Sequence, residues 1–254
     1  MEGGNKKMFD ILTSPLFYLF FTILIYFLFA LLLRKTKLPI FNPLLWTIIF
    51  IIGYLLLIIF WGHGQIDEAG IEKEVDKYQR STVILDMMLS PVTVALAVPL
   101  YINRHLVKEN WLVILVATIV GVASSFLTVY LLSLALNLDK SIMLAILPRG
   151  VTTAIAKEAA AIMGVSVELP ITVSMVVITG VVGATLGPIL FKLFRTKDED
   201  DLLIGLSLGS ASHAVGTSKA FSYSQRAGSI ASVSIITNGL LTVIVSLIIS
   251  VFVK

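Results

Sequence analysis

Residues Ile11–Leu33 read ILTSPLFYLFFTILIYFLFALLL, 23 residues without an Asp, Glu, Lys or Arg. A hydrocarbon core about 30 Å thick needs about 20 mostly apolar helical residues to cross it, so this run suffices for one span. A secretory signal has an apolar region of only about 7–15 residues and ends at a small-residue cleavage site. This run ends instead in Arg34-Lys35-Thr36-Lys37 and reads as a retained helix. Working outward, Leu38–Ile66, Asn110–Leu138, Leu169–Phe191 and Ala227–Val253 are at least as long and equally free of charge. Three weaker segments lie among them. Met87–Asn103 carries Pro91, Leu202–Ser218 carries several glycines, and Ser141–Val167 is interrupted by Arg149, Lys157 and Glu158. The expected fold is an all-α polytopic membrane protein with five firm transmembrane helices and three broken or re-entrant segments.

Composition points the same way. Of 254 residues, 57% are hydrophobic and 14% charged, with a mean hydropathy of +0.96. Soluble domains carry about 25% charged residues, so this chain lacks the polar surface of a water-exposed globule. The net charge of +3 comes from short basic clusters between apolar runs, the pattern of the positive-inside rule rather than of a nucleic-acid binder. With no cysteine and only His63, His105 and His213, thiolate chemistry is excluded and a histidine-rich metal site is not expected. No phosphate loop of the G-x-x-x-x-G-K-[ST] type is present, which excludes ATP-driven pumping by this chain alone. No cofactor is expected, nor enzymatic activity.

The clusters Arg34/Lys35/Lys37, Arg104/Lys108 and Lys192/Arg195/Lys197 are the expected cytoplasmic loops. All three share a side only if one segment between Asn110 and Lys197 fails to cross, and Ser141–Val167 is the natural re-entrant candidate. The polar stretch Gly62–Thr82, mixed in charge and without an apolar period, reads as a solvated loop with at most one helical turn. At an offset of 59 residues, Val92–Ala97 falls on Val151–Ala156 and Ile119, Gly121 and Val122 fall on Ile178, Gly180 and Val181. A third unit near offset 60 places Thr172-Val173-Ser174 on Ser232-Val233-Ser234. The chain is therefore read as one integral membrane domain, residues 1–254, with two helices and a polar loop over 1–82 and a repeat-like core over 83–254. Secondary transporters are often built from such repeats, with broken helices meeting near the midplane.

Ionisable residues inside spans are functional candidates by default. In Pro148-Arg149-Gly150-Val151-Thr152-Thr153, Pro148 and Gly150 bracket a break, and Thr152 or Thr153 suits the N-cap of a helix running to about Met163. A buried helix start attracts anions, and the planar fork of Arg149 fits a carboxylate. Arg149, Thr153 and Lys157 share a face if the segment is helical throughout, while Glu158 points elsewhere. The competing reading has Arg149 snorkelling and Lys157 paired with an acid. The second polar segment, Gly205–Lys219, supplies Ser210, Ser212, His213 and Thr217, with Gly209 and Gly216 as further candidate breaks. His213 is placed to carry a coupling proton, or else to bond a carbonyl freed by the break. Gly205–Gly209 also matches the G-x-S-x-G hydrolase pattern through Ser207. That motif needs a strand-to-helix elbow, which a membrane helix does not provide. Gly183–Gly187 and Gly121/Ser125 are explained by helix packing.

Several ordered motifs resemble the LrgB/CidB family of bacterial membrane proteins, from about Ser14 to the C-terminus. They are Lys37-Leu38-Pro39, Asn42-Pro43-Leu44, Pro91 through Tyr101, Val151-Thr152-Thr153 and Ala211 through Thr217. Where the family usually reads Pro-Lys-Ser-Val-Thr-Thr-Pro, this chain has Pro148-Arg149-Gly150-Val151-Thr152-Thr153-Ala154; the charge is kept and the second proline is lost. The Gly62–Thr82 stretch is longer than is usual there. The resemblance implies a multi-pass protein of the bacterial inner membrane and two alternative functions. One is transport of small monocarboxylates of the pyruvate, glycolate and glycerate class, proton-coupled, as implied by a plastid glycolate/glycerate translocator related to the family. The other is holin- or antiholin-like modulation of murein hydrolase export and lysis. Its implied partners are the bilayer, a small LrgA/CidA-type membrane protein and further copies of itself, with no nucleic acid. The polar residues favour transport. A small carboxylate would sit among Arg149, Thr152, Thr153, Ser210, Ser212, His213 and Thr217, with His213, Lys157 and Glu158 as charge-coupling candidates.

Overall fold

The computed structural model describes residues 3–36, 41–63, 66–88, 91, 94–95, 97–197 and 200–253. It divides into two compact units, Met1–Val94 and Ala95–Lys254. Among the described residues there are helices and no strands. Five helices are long and apolar enough to cross a membrane. The protein is an all-α polytopic membrane protein.

The first unit holds α1 (Gly3–Leu12), α2 (Pro15–Thr36), α3 (Pro43–His63), α4 (Glu68–Ser81) and α5 (Val83–Met87). Proline opens both α2 and α3, where its fixed φ is preorganised and its missing N–H is not needed. Asn42 Oδ1 accepts the Leu44 N–H at 2.9 Å and caps α3. The two helices meet through aromatic rings: Phe21 lies 4.7 Å from Tyr54, and Phe29 stacks on Trp46 at 5.2 Å.

The expected loop at Gly62–Thr82 is instead largely the 14-residue helix α4. Asp67 caps it, accepting the Gly70 N–H at 3.0 Å. Its inward face carries Gly70, Glu74, Val75 and Tyr78, which recur at helical spacing but include a carboxylate. Glu74 is buried and accepts the Tyr18 hydroxyl at 2.7 Å, and Tyr78 shares a hydrogen bond with Thr22 at 3.0 Å. A period that counts only apolar residues misses such a helix.

The second unit holds α6 (Ala97–Ile102), α7 (Arg104–Glu109), α8 (Trp111–Ala135), α9 (Lys140–Ile146), a 3₁₀ turn (Leu147–Gly150), α10 (Thr153–Ile162), α11 (Leu169–Leu193), α12 (Asp201–Phe221) and α13 (Gln225–Val253). α8, α11 and α13 are the three candidate spans of this unit. The expected segment Met87–Asn103, and the repeat unit that begins at Val92, fall partly on residues outside the described set. Pro91 itself has helical backbone.

Both remaining weak segments are broken. In Ser141–Val167, α9 and α10 have 7 and 10 residues. At 1.5 Å per residue they are ~10 and ~15 Å long, too short for either to cross a 30 Å core. Between them Pro148 leaves helical geometry (φ −82°, ψ 18°) and Val151 is extended (φ −118°, ψ −179°). Arg149 is therefore on a different element from Thr153 and Lys157, and no common helical face joins the three. Gly164, at φ +83°, ends α10. Its N–H reaches Ala161 O at 3.0 Å while the Val165 N–H reaches Ala160 O at 3.1 Å, a Schellman closure that glycine permits.

α12 breaks at Ser212 (φ −135°, ψ 17°) and His213 (φ 41°, ψ −130°), between Gly209 and Gly216, which are helical. Gly209 serves close packing against α13, whereas a Cβ on Gly216 would strike Leu208 O, across the break in α12 itself. A Cβ on Gly205 would lie 2.5 Å from Ala227 O, and one on Gly209 would lie 2.5 Å from Ala231 O. α12 and α13 thus meet backbone to backbone through small residues, as helices in a membrane commonly do.

Candidate functional site

The 3₁₀ turn delivers Arg149 to a cavity of about 450 Å³. α8 contributes Ala117, Gly121, Ser124, Ser125 and Thr128, α11 contributes Thr179, and α12 contributes Leu206, Ser207, Ser210 and Ala211. Ser125 and Thr179 each lie near the middle of a candidate span. The cavity wall is therefore at mid-membrane depth if those helices cross. Six of its residues carry hydroxyls and none carries a carboxylate. Ser124 and Thr128 donate theirs to backbone carbonyls, at 3.0 Å to Gly121 O and 2.7 Å to Ser124 O.

Arg149 reaches Ser125 O through Nη1 at 3.5 Å, the outer limit of a hydrogen bond. No carboxylate pairs with it among the described residues, where the ion pair present is Arg80–Asp76 on α4. A guanidinium with no carboxylate partner among the described residues can receive an anion, and its fork matches the two oxygens of a carboxylate.

The break in α10's approach and the break in α12 are brought together by a residue that the search for ionisable groups overlooks. Asn238 of α13 donates from Nδ2 to Gly150 O at 3.0 Å and to Ser210 O at 2.8 Å. It is buried near the middle of the longest candidate span. Its sequence signal is plain in hindsight: it is the sole carboxamide in the uncharged run Ala227–Val253.

Of the expected site residues, Arg149 and Ser210 line this cavity. Thr152 is the N-cap position of α10, with extended backbone and no side-chain capping bond, and Thr153 begins the helix. Neither is among the cavity's lining residues. Lys157 and Glu158 are exposed on α10. Ser212 lines a second, mostly apolar cavity of about 430 Å³ between α11 and α12. The Ser212 and Thr217 hydroxyls are buried and have no hydrogen-bond partner among the described residues. His213 is buried against α11, where its Nε2 meets Val176 O at 2.9 Å. The carbonyl it binds belongs to the neighbouring helix and not to the broken one. Among the described residues no cluster of three or more His, Asp or Glu side chains is placed to hold a metal ion.

Comparison with known proteins places this sequence in a family. The model of the LrgB-like family matches residues 22–252. The chain is 32% identical to the Uncharacterized protein YxaC of Bacillus subtilis (strain 168) over 213 residues, covering 84% of this chain and 85% of that one. It is 32% identical to the Antiholin-like protein LrgB of the same organism over 168 residues, 66% of this chain and 71% of that one. With the Holin-like protein CidB of Staphylococcus aureus (strain Mu50 / ATCC 700699) it shares 30% identity over 221 residues, 87% of this chain and 89% of that one. No solved structure matches. A polytopic helical chain matched by one family model over nearly its whole length belongs to that family: this protein is a member of the LrgB-like family.

Proposed function

We propose that the Ala95–Lys254 unit binds small monocarboxylates of the pyruvate and glycolate class at Arg149 and carries them across a bacterial inner membrane. The observation that supports this reading most is the unpaired guanidinium in a hydroxyl-lined cavity at the level of mid-span residues. An Arg at that depth is costly unless it pairs or serves a polar pathway. Thr152, Thr153, Ser212, His213 and Thr217 stand around the two breaks as the remaining binding and proton-coupling candidates. The test is uptake of labelled pyruvate and glycolate into proteoliposomes. Charge-assisted hydrogen bonds contribute ~1.5–3 kcal/mol each, so Arg149→Ala should weaken uptake roughly ten- to hundredfold while Arg149→Lys weakens it modestly. Unchanged uptake by a folded Arg149→Ala protein would leave Arg149 as a packing residue.

A second reading is a holin- or antiholin-like role, exerted with a small LrgA/CidA-type membrane partner or through self-association. The relatives' names favour it more directly than they favour transport, since one is called antiholin-like and another holin-like. Carboxylate uptake absent from the purified chain, together with cell lysis that changes on its expression, would decide for this second reading.

A further inference from the structure

Three adjacent residues of α13 reach four different elements. Thr237 shares a hydrogen bond with Thr118 of α8 at 3.2 Å. Asn238 holds the carbonyls of Gly150 and Ser210. Gly239 leaves the space filled by Ile155 of α10, whose Cδ1 would stand 2.7 Å from a Cβ there. Of these, Asn238 alone touches both broken segments. Its two N–H groups are both engaged, one on each break, and a carboxamide has no third donor.

We propose that Asn238 is the positioning residue of the anion site, a clamp that fixes the Arg149 turn relative to the α12 break. The proposal deepens the carboxylate reading and rests on it for the ligand, while the clamp itself is a matter of backbone geometry. Gly150 follows Arg149 directly, so whatever holds its carbonyl sets where the guanidinium stem leaves the backbone. Ser210 lies in the cavity wall two residues before the α12 break. One rigid planar group between the two carbonyls sets their separation without adding charge to the cavity. Both carbonyls sit where helical pairing is interrupted, so losing the carboxamide leaves two acceptors to find new partners. The two segments then move independently, and a ligand must order them before it binds.

The sequence contains no cysteine, so a single thiol can report on the clamp. The reporter is Ser210→Cys, read by its rate of reaction with a methanethiosulfonate reagent in detergent. Ala117→Cys on α8 lines the same cavity away from the clamp and serves as the control. Asn238→Ala should raise the Ser210→Cys rate about tenfold, as loss of two hydrogen bonds of modest net strength implies, and leave the control unchanged. Asn238→Asp has the same shape but no donor until it is protonated. It should label fast at pH 8 and fall only part of the way toward the parent rate at pH 5, because a protonated carboxyl has one donor where the carboxamide has two, each rate compared with the parent chain at the same pH. On the elements packed against α13, Arg149 stands on the turn, His213 of α12 is engaged with Val176 O, and Asp201 and Lys219 lie toward the two ends of α12. Lys157 and Glu158 of α10 and Arg104, His105, Lys108 and Glu109 of α7 are exposed, and α8 carries no Asp, Glu, Lys, Arg or His. Equal rates for parent, Asn238→Ala and Asn238→Asp at both pH values would overturn the clamp. A rate increase at both reporters would overturn it as well, by showing general loosening. Protection of Ser210→Cys by pyruvate tests the anion reading separately: no protection in the parent chain, with the rate pattern intact, sinks that reading and leaves the clamp.

Discussion

His213 combines two features at a single residue. Its φ of 41° with ψ of −130° lies where glycine is at ease and a residue with a Cβ is strained, by an amount of order 1–3 kcal/mol. Its ring holds the Val176 carbonyl. The two can be separated by substitution. His213→Ala loses the hydrogen bond and keeps the strain, whereas His213→Gly loses the bond and relieves the strain. We expect the glycine variant to be more stable than the alanine variant by about 1 kcal/mol, read as the difference in thermal midpoint in detergent. If His213 also carries a coupling proton, both variants should flatten the pH dependence of carboxylate uptake. Flattening in neither would assign His213 to structure alone. At this scale the sequence was informative about charge and poor on neutral polar groups. Arg149 and His213 stand out because ionisable residues are rare in apolar runs. Asn238 does not titrate and so escaped, although a buried carboxamide has as much need of partners.

Among the helices, α4 shows how a correct physical rule fails on incomplete input. An amphipathic helix is recognised by its apolar stripe, but the buried stripe of α4 includes Glu74, made tolerable by the Tyr18 hydroxyl. Glu74→Ala would strand that hydroxyl in the interior, at about 1–3 kcal/mol, while Glu74→Gln keeps an acceptor for it. Hydrogen exchange over Glu68–Ser81 should therefore quicken markedly in the alanine variant and little in the glutamine variant. Equal exchange in all three would mean that α4 is held by other contacts. Burial also raises the Tyr78 phenol above its ordinary pKa, so its contribution is complete below that ordinary value and is lost as pH rises through the raised one. The five long runs, by contrast, were legible to within about five residues at each end, because uninterrupted apolar length has one helical solution in a bilayer. The breaks were legible as breaks, from Pro148 and from the polar, glycine-rich stretch of α12, but their location was not. The sequence offers Gly209 and Gly216 as breaks, but both are helical, and close packing of α13 is what requires the first of them.

At the scale of the whole molecule, each unit makes its own statement about the membrane. In Met1–Val94, α4 packs beside Tyr18 and Thr22, near the start of α2, whereas Lys35 lies at the other end. Some 17 residues of helix separate those levels, ~25 Å at 1.5 Å per residue. Single cysteines at Lys35 and Asp76 should accordingly react with an impermeant reagent from opposite faces of the membrane, Lys35 from the cytoplasmic one. Reaction of both from one face would remove α2 from the set of spans. In Ala95–Lys254, the notch at Gly180 has a historical consequence. A Cβ there would stand 2.6 Å from Cε1 of the His213 ring, so an alanine at 180 and a histidine at 213 compete for one volume. Changes at neighbouring sites of this kind do not add. A lineage that exchanged both residues would have had to shrink position 213 first, since the reverse order passes through an ancestor in which ring and methyl collide. Of the two orders in which the pair can be exchanged, one is open and the other is closed.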